Sequence, residues 1–297
     1  MPARWFICPD GSIHEISACI ENCRMGSRCL FLPTLRAIAN SENRQIEGFT
    51  ITELIAGTRE TYLKKTVEYA AAPQDRMLAL NGSEVHAKFE QNAEDLLSEV
   101  RLREEDISGM FDLYGDVLGD GMLTLGDYKV TSSYKGMLAL GKYAVEVETK
   151  EIFKSGIRKG QPKTRKEWQE DGVRKGIQDW RLQLNGYRVL LEQAGYPVER
   201  MIIQMMIRDA GLEVAARRNV DQSVYLLPIN RISDQWVKRY FNTKAQRLRD
   251  ALSEQKLPPI CSAKERWQDR KCQRYCDVAG ACSHALTLGS KNNTEVA

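Results

Sequence analysis

The stretch GMFDLYGDVLGDGMLTLGDYKV, residues 109–130, decides how the fold is read. Apolar and aromatic residues dominate on both sides of Gly119-Asp120-Gly121, and a glycine-flanked aspartate lets the backbone reverse without a Cβ penalty. The segment is therefore predicted as a β-hairpin over about residues 109–131. Counting outward from Asp120, Asp112 lies eight residues back and Asp127 seven forward, which sets two carboxylates beside each other on paired strands. Lys129 is two residues beyond Asp127 and shares its face, because side chains alternate along a strand. Asp112 stands among Met110, Phe111 and Leu113, where an unpaired charge is costly and a bound cation accounts for it. The plainer alternative makes Asp127 and Lys129 an exposed same-face pair on an edge strand.

Upstream of the hairpin the pattern is helical. LPTLRAIA (32–39) and TITELIAGTRETYLKKTVEYAA (50–71) read as helices, with Thr50 and Glu53 at capping-box spacing. GSEVHAKFEQNAEDLLSEV (82–100) reads as one more, with Val85, Phe89, Leu96, Leu97 and Val100 near one stripe and His86 four residues before Glu90. Downstream, a polar, Gly- and Lys-rich stretch (154–176) separates the hairpin from GIQDWRLQLNGYRVLLEQAGYP (176–197), a helix stopped by Gly195 and Pro197. Gln183 and Tyr187 on it are an i, i+4 pair that plain core packing also explains. VERMIIQMMIRD (198–209) and SVYLLPI (223–229) read as strands, and Ser233 as the cap of a long helix over 234–255. Strands with helices between and around them predict a mixed α/β body.

Two further features flank that body. Cys8, Cys19, Cys23 and Cys29 are spaced C-x10-C-x3-C-x5-C, and Cys261, Cys272, Cys276 and Cys282 repeat the same gaps, using all eight cysteines of the chain. No charged-then-apolar leader opens the sequence and no apolar run reaches the length that spans a bilayer, so a cytoplasmic protein without a membrane partner is expected. In a reducing compartment four-thiolate sets read as metal sites, structural because four protein ligands leave no open position. Zn²⁺ is favoured over a 4Fe-4S cluster, although either takes four thiolates.

The net charge of +3 over 297 residues makes no electrostatic case by itself. Local clusters do: eight Lys or Arg between Lys154 and Lys175, and Lys264, Arg266, Arg270, Lys271 and Arg274 in the second cysteine segment. Such runs are either solvated surface or a grip on polyanions.

His86 in GSEVH, Asp112 in GMFD, Asp127 and Lys129 in GDYK, and Gln183 with Tyr187 in QLNGY together resemble the RecB-like branch of the PD-(D/E)XK nucleases. That branch includes the CRISPR-associated adaptation nucleases and AddB-type nuclease subunits, and the resemblance covers about residues 50–209. It implies a restriction-endonuclease-like core with a mixed central sheet flanked by helices, and metal-dependent hydrolysis of DNA phosphodiesters. On this resemblance Asp112, Asp127 and His86 would be ligands of Mg²⁺ or Mn²⁺, and Lys129 would orient the attacking water. Gln183 and Tyr187 would brace the site or hold the DNA strand, and Glu90 is a weak candidate for an outer acid. Cluster-bearing members place one cysteine near the start of the nuclease domain, where Gly57 and Thr58 stand here, so a cluster joining that point to the C-terminal cysteines is in doubt.

The expected organisation is a four-cysteine module over 1–35, a nuclease core over 36–256, and a second module with a tail over 257–297. The expected function is a DNA exonuclease or endonuclease of recombination, repair or phage DNA processing, partnered by a helicase or a phage recombination protein. The alternatives are a non-catalytic nucleic-acid-binding protein with an inert core, and an assembly subunit whose cysteine modules bind proteins.

Overall fold

A computed structural model describes residues 3–42, 46–170 and 174–289. Residues 171–173 and the side chain of Lys175 in the Lys-rich stretch, and residues 290–297 of the tail, lie outside the described residues. In chain order the elements are β1 (Trp5–Ile7), β2 (Ile13–Glu15), α1 (Ile16–Glu21), α2 (Leu32–Glu42), β3 (Phe49–Thr50), α3 (Ile51–Ile55), α4 (Thr58–Thr66), β4 (Ala70–Ala71), α5 (Pro73–Glu90), β5 (Leu97–Glu104), β6 (Ile107–Gly115) and β7 (Thr124–Thr131). They continue as α6 (Ser133–Ala139), β8 (Lys142–Ile152), β9 (Pro162–Glu170), α7 (Gln178–Gln193), β10 (Arg200–Ile207), α8 (Glu213–Ala216), β11 (Val224–Pro228), α9 (Asp234–Ser253), α10 (Arg270–Arg274) and α11 (Ser283–Thr287). The chain is mixed α/β, and no described helix is long and apolar enough to cross a membrane.

The chain packs as two units, one of residues 1–110, 185–197 and 232–297, the other of residues 111–184 and 198–231. Both cysteine segments belong to the first. In that unit β1 pairs antiparallel with β2 and parallel with β4, while β3 runs parallel to the start of β6. Thr50 and Glu53 form the expected capping box: Thr50 Oγ1 accepts from the Glu53 amide at 3.1 Å and Glu53 Oε2 accepts from the Thr50 amide at 2.8 Å. The helix expected over 50–71 is nevertheless broken at Ala56–Gly57 into α3 and α4, and the chain leaves helical geometry after Thr66. Long α9 buries Val237, Phe241, Lys244, Ala245, Leu248 and Ala251, a stripe at helical spacing. Phe241 and Ile51 close on α7 where Gly186 leaves no room for a Cβ.

The segment 82–100 departs from expectation. Helix α5 starts at Pro73, whose fixed φ suits the first helical turn, and stops at Glu90. Leu97 and Val100 belong instead to strand β5, whose alternation of apolar and charged residues imitates a helical stripe over so short a window.

In the second unit β11, β10, β7 and the end of β6 are ordered side by side, β10 antiparallel to β11, parallel to β7, with β7 antiparallel to β6. This is a mixed sheet with α6 packed on β10, where a Cβ on Gly136 would lie 2.6 Å from Ile207 Cδ1. The Lys-rich stretch, read as a polar separator, supplies strand β9, which pairs antiparallel with β8 in a two-stranded sheet of its own.

Candidate active site and metal centres

The hairpin read from the sequence is present, and its turn is fixed by Asp116. The Asp116 carboxylate accepts from the Asp120 amide at 2.9 Å and the Gly121 amide at 3.0 Å, and Gly119 and Gly121 take φ of +68° and +80°. The printed pairs Leu113 with Gly126, Tyr114 with Leu125 and Gly115 with Thr124 fix the register, and its next step sets Asp112 opposite Asp127. Asp112 is 9% exposed, and its Oδ2 accepts from the Tyr128 amide at 2.7 Å, which anchors one carboxylate oxygen to the neighbouring strand. Asp127 is 2% exposed. Lys129 Nζ stands 2.6 Å from Asp127 Oδ2 as an ion pair, and Asp127 Oδ1 is buried. One ammonium offsets one charge, so a second buried carboxylate beside the pair is an arrangement that suits a cation. The donor set, two carboxylates on adjacent strands, is that of a hard divalent ion.

His86 lies half-buried on α5 in the first unit, with Nδ1 3.6 Å from Oε1 of Glu99. Glu99 was not anticipated. It sits on β5 at a φ of +50°, unusual for a residue with a Cβ, and no local sequence signal marks that. Glu90, one turn from His86 on α5, is exposed. Gln183 and Tyr187 fall one turn apart on α7; Tyr187 is buried, and its ring fills the space beside Gly109, where a Cβ would stand 2.7 Å from Cδ1.

None of the eight cysteines is in a disulfide. In the first set, burial pushes the Cys8 and Cys19 thiols up, and the sulfurs of Cys23 and Cys29 add to the shift at both. In the second set, Cys261, Cys272, Cys276 and Cys282 line one small cavity of about 20 Å³ together with Arg59 and Lys271. Burial and the carboxylate of Glu60 push the Cys276 thiol up to about 12. The Arg59 guanidinium reaches Cys282 Sγ at 4.0 Å.

The departure at Gly57 has a physical counterpart. A Cβ there would lie 2.3 Å from Cys261 Sγ, so the sulfur of Cys261 occupies the space beside that point of the chain. The Glu60 amide, in the first turn of α4, hydrogen-bonds this sulfur and partly offsets the rise that burial causes in its pKa. Cys261 therefore supplies the fourth thiol of the second set. Ion pairs, buried to half-buried, surround the set: Lys271 to Glu60 at 2.5 Å, Lys64 to Asp277 at 2.9 Å, and Lys244 to Glu265 at 2.5 Å. Asp269 and His284 add ligand atoms within 4.8 Å of Cys272, with His284 Nε2 2.8 Å from Asp269 Oδ1 and Arg266 beside both. His284 stands two residues past Cys282, a position with no role in the cysteine spacing.

No family model and no curated protein matches the chain. Among solved structures, the crystal structure of SSO0001 is similar at 14% identity and a TM-score of 0.45, over 85% of this chain and 95% of that one.

Proposed function

We propose that the chain is a metal-dependent DNA nuclease whose centre is the pair Asp112 and Asp127, with Lys129 alongside. The observation that carries this reading is the Asp127 carboxylate, buried to 2% exposure in the register that sets it opposite Asp112, with the Lys129 ammonium 2.6 Å from its Oδ2. Asp112 and Asp127 would hold Mg²⁺ or Mn²⁺, which when bound supplies a water of lowered pKa and positive charge against the phosphate. The Tyr128 amide donates to Asp112 Oδ2 and fixes the orientation of that carboxylate. Lys129 is placed to steady charge on a phosphoryl oxygen. His86 as a further ligand, and Gln183 and Tyr187 as braces, rest on the resemblance to RecB-like nucleases.

The two four-cysteine sets are read as structural zinc sites. Four thiolates with no open position are the donor set of structural Zn²⁺, and a 4Fe-4S cluster takes the same four ligands. A brown, visibly absorbing protein after anaerobic purification would reverse this choice of metal.

The deciding experiment is cleavage of a labelled DNA duplex with Mg²⁺ by the wild type, Asp112→Ala, Asp127→Asn and Lys129→Ala, with binding of the same duplex measured in parallel. Wild-type cutting is expected, with losses of about 10²–10³-fold in the variants while binding persists. Undiminished cutting by Asp112→Ala would refute the centre. Binding without cutting by the wild type would favour a non-catalytic nucleic-acid-binding protein.

A further inference from the structure

The arm formed by β8 and β9 has no counterpart in the proposed chemistry. Its eleven-residue strand β8 pairs with β9 from Lys142 opposite Glu170 to Glu148 opposite Thr164, and again at Ile152 opposite Pro162 after a bulge. At about 3.3 Å per residue the ribbon is roughly 36 Å long, and it forms a sheet by itself. Charge is segregated along it. From Phe153 to Lys166 there are six Lys or Arg and no acid, whereas Glu167 and Glu170 stand at the base of the arm and Glu146, Glu148 and Glu151 follow one another along β8.

Some of that charge is answered locally: Lys163 pairs with Glu151 at 2.8 Å and Arg165 with Glu167 at 2.5 Å. Lys154, Arg158 and Lys159 at the apex have no ion-pair partner among the described residues. Their turn is defined by Gly156 and Gly160 at φ of +80° and +85°, by the Phe153 amide donating to Gln161 O at 3.0 Å, and by the Gly160 amide donating to Phe153 O at 2.9 Å. Arg158 lies over the Phe153 ring at 6.0 Å, and Ile157 between the cations is fully exposed. Three like charges within six residues repel one another, and only an anionic partner turns that repulsion into attraction.

We propose that the apex of the β8–β9 arm grips the phosphodiester backbone of a nucleic acid through Lys154, Arg158 and Lys159. The nuclease reading supplies the identity of the polyanion, and the inference rests on it to that extent. A linear polyanion fits better than a lipid surface. The cations continue back along β9 at Lys163, Arg165 and Lys166 as a stripe, while the apex offers a membrane one apolar side chain, Ile157, rather than an apolar crown.

The test is binding of the full chain to a fluorescein-labelled 30-base-pair DNA duplex, without added divalent ion so that the probe stays intact, at KCl from 50 to 200 mM. Each phosphate contact contributes about 0.9 to the slope of log affinity against log salt, so replacing Lys154, Arg158 and Lys159 together by Gln is expected to flatten the slope by about 2–3. Lys154→Arg with Arg158→Lys and Lys159→Arg keeps the charge and is expected to keep the slope. An unchanged slope in the Gln variant overturns the proposal, as does a wild type that binds no duplex. Loss of binding to phosphatidylserine-containing vesicles with an unchanged DNA slope overturns it in favour of a membrane surface. The nuclease reading fails separately: a chain that never cuts DNA but shows the predicted change of slope keeps the grip and loses the chemistry.

Discussion

Cys8, Cys19, Cys23 and Cys29 are spaced like Cys261, Cys272, Cys276 and Cys282, and the likeness extends to local structure. In each set the second cysteine rides a short helix, Cys19 on α1 and Cys272 on α10, and the third stands two residues past the helix end. Their surroundings diverge. The first set starts on the turn of the β1–β2 hairpin, rests Cys19 against a small apolar group of Phe6, Leu35, Ile38 and Ala39, and leaves Cys29 exposed. The second buries Cys276 and Cys282, borrows an amide from α4, and is ringed by ion pairs. One spacing thus stands at the periphery in one place and among buried side chains and ion pairs in the other, because tertiary contacts rather than spacing decide how much else depends on it.

The comparison is tested most severely by removing metal. Structural zinc binding is worth about 10–16 kcal/mol in isolated fingers and is folding energy. Stepwise chelation followed by hydrogen exchange is expected to release the first ion early, with loss of protection confined to residues 3–42, and the second later, with loss of protection in α4 and α9. Release of both in one step would abolish the distinction. Next in size is Lys271→Met, which removes a partner from Glu60, itself 7% exposed. With Lys64 still 3.4 Å away, a cost of about 3 kcal/mol is expected in denaturant titration.

Gly57→Ala comes third. Its φ of −66° is open to alanine, so only the collision with Cys261 Sγ opposes the change. A loss of about 1–3 kcal/mol is expected, with the metal content of the four-cysteine sites falling from two ions to one. Full metal content in this variant would mean that Cys261 is not a ligand. The smallest effect belongs to Arg28→Ala in the first set, where Nη2 donates to Ile20 O at 3.0 Å and Glu21 O at 3.2 Å at the exposed end of α1. About 0.5–1 kcal/mol is expected from the thermal midpoint.

What could be read in advance was local. Turn chemistry at Gly119–Gly121 and period-two alternation located Asp112, Asp127 and Lys129 relative to one another, since a hairpin's register follows from its turn. The Thr50–Glu53 capping box was equally plain. The β8–β9 arm was hidden because Lys, Glu and Gly are weak strand formers, and the ribbon's order comes from cross-strand pairing. Glu60 with Lys271 was illegible for a different reason: the partners are 211 residues apart, and nothing near either one announces the other. The same holds for Arg188, wholly buried, with Nη1 2.7 Å from Asp234 Oδ1 and Nη2 2.9 Å from Ile232 O.

The sulfur that rests against Gly57 also bears on how the chain is made. Helix α4 leaves the ribosome about 200 residues before Cys261, an interval of about 10–40 s at ordinary elongation rates. Through that time the first turn of α4 lacks the sulfur that its Glu60 amide bonds, and all four cysteines of the second set are still to come. On the proposed reading of the second set as a metal site, capture of its ion would wait on Cys282, and a chain cut short of that residue would be told apart by the ion it lacks.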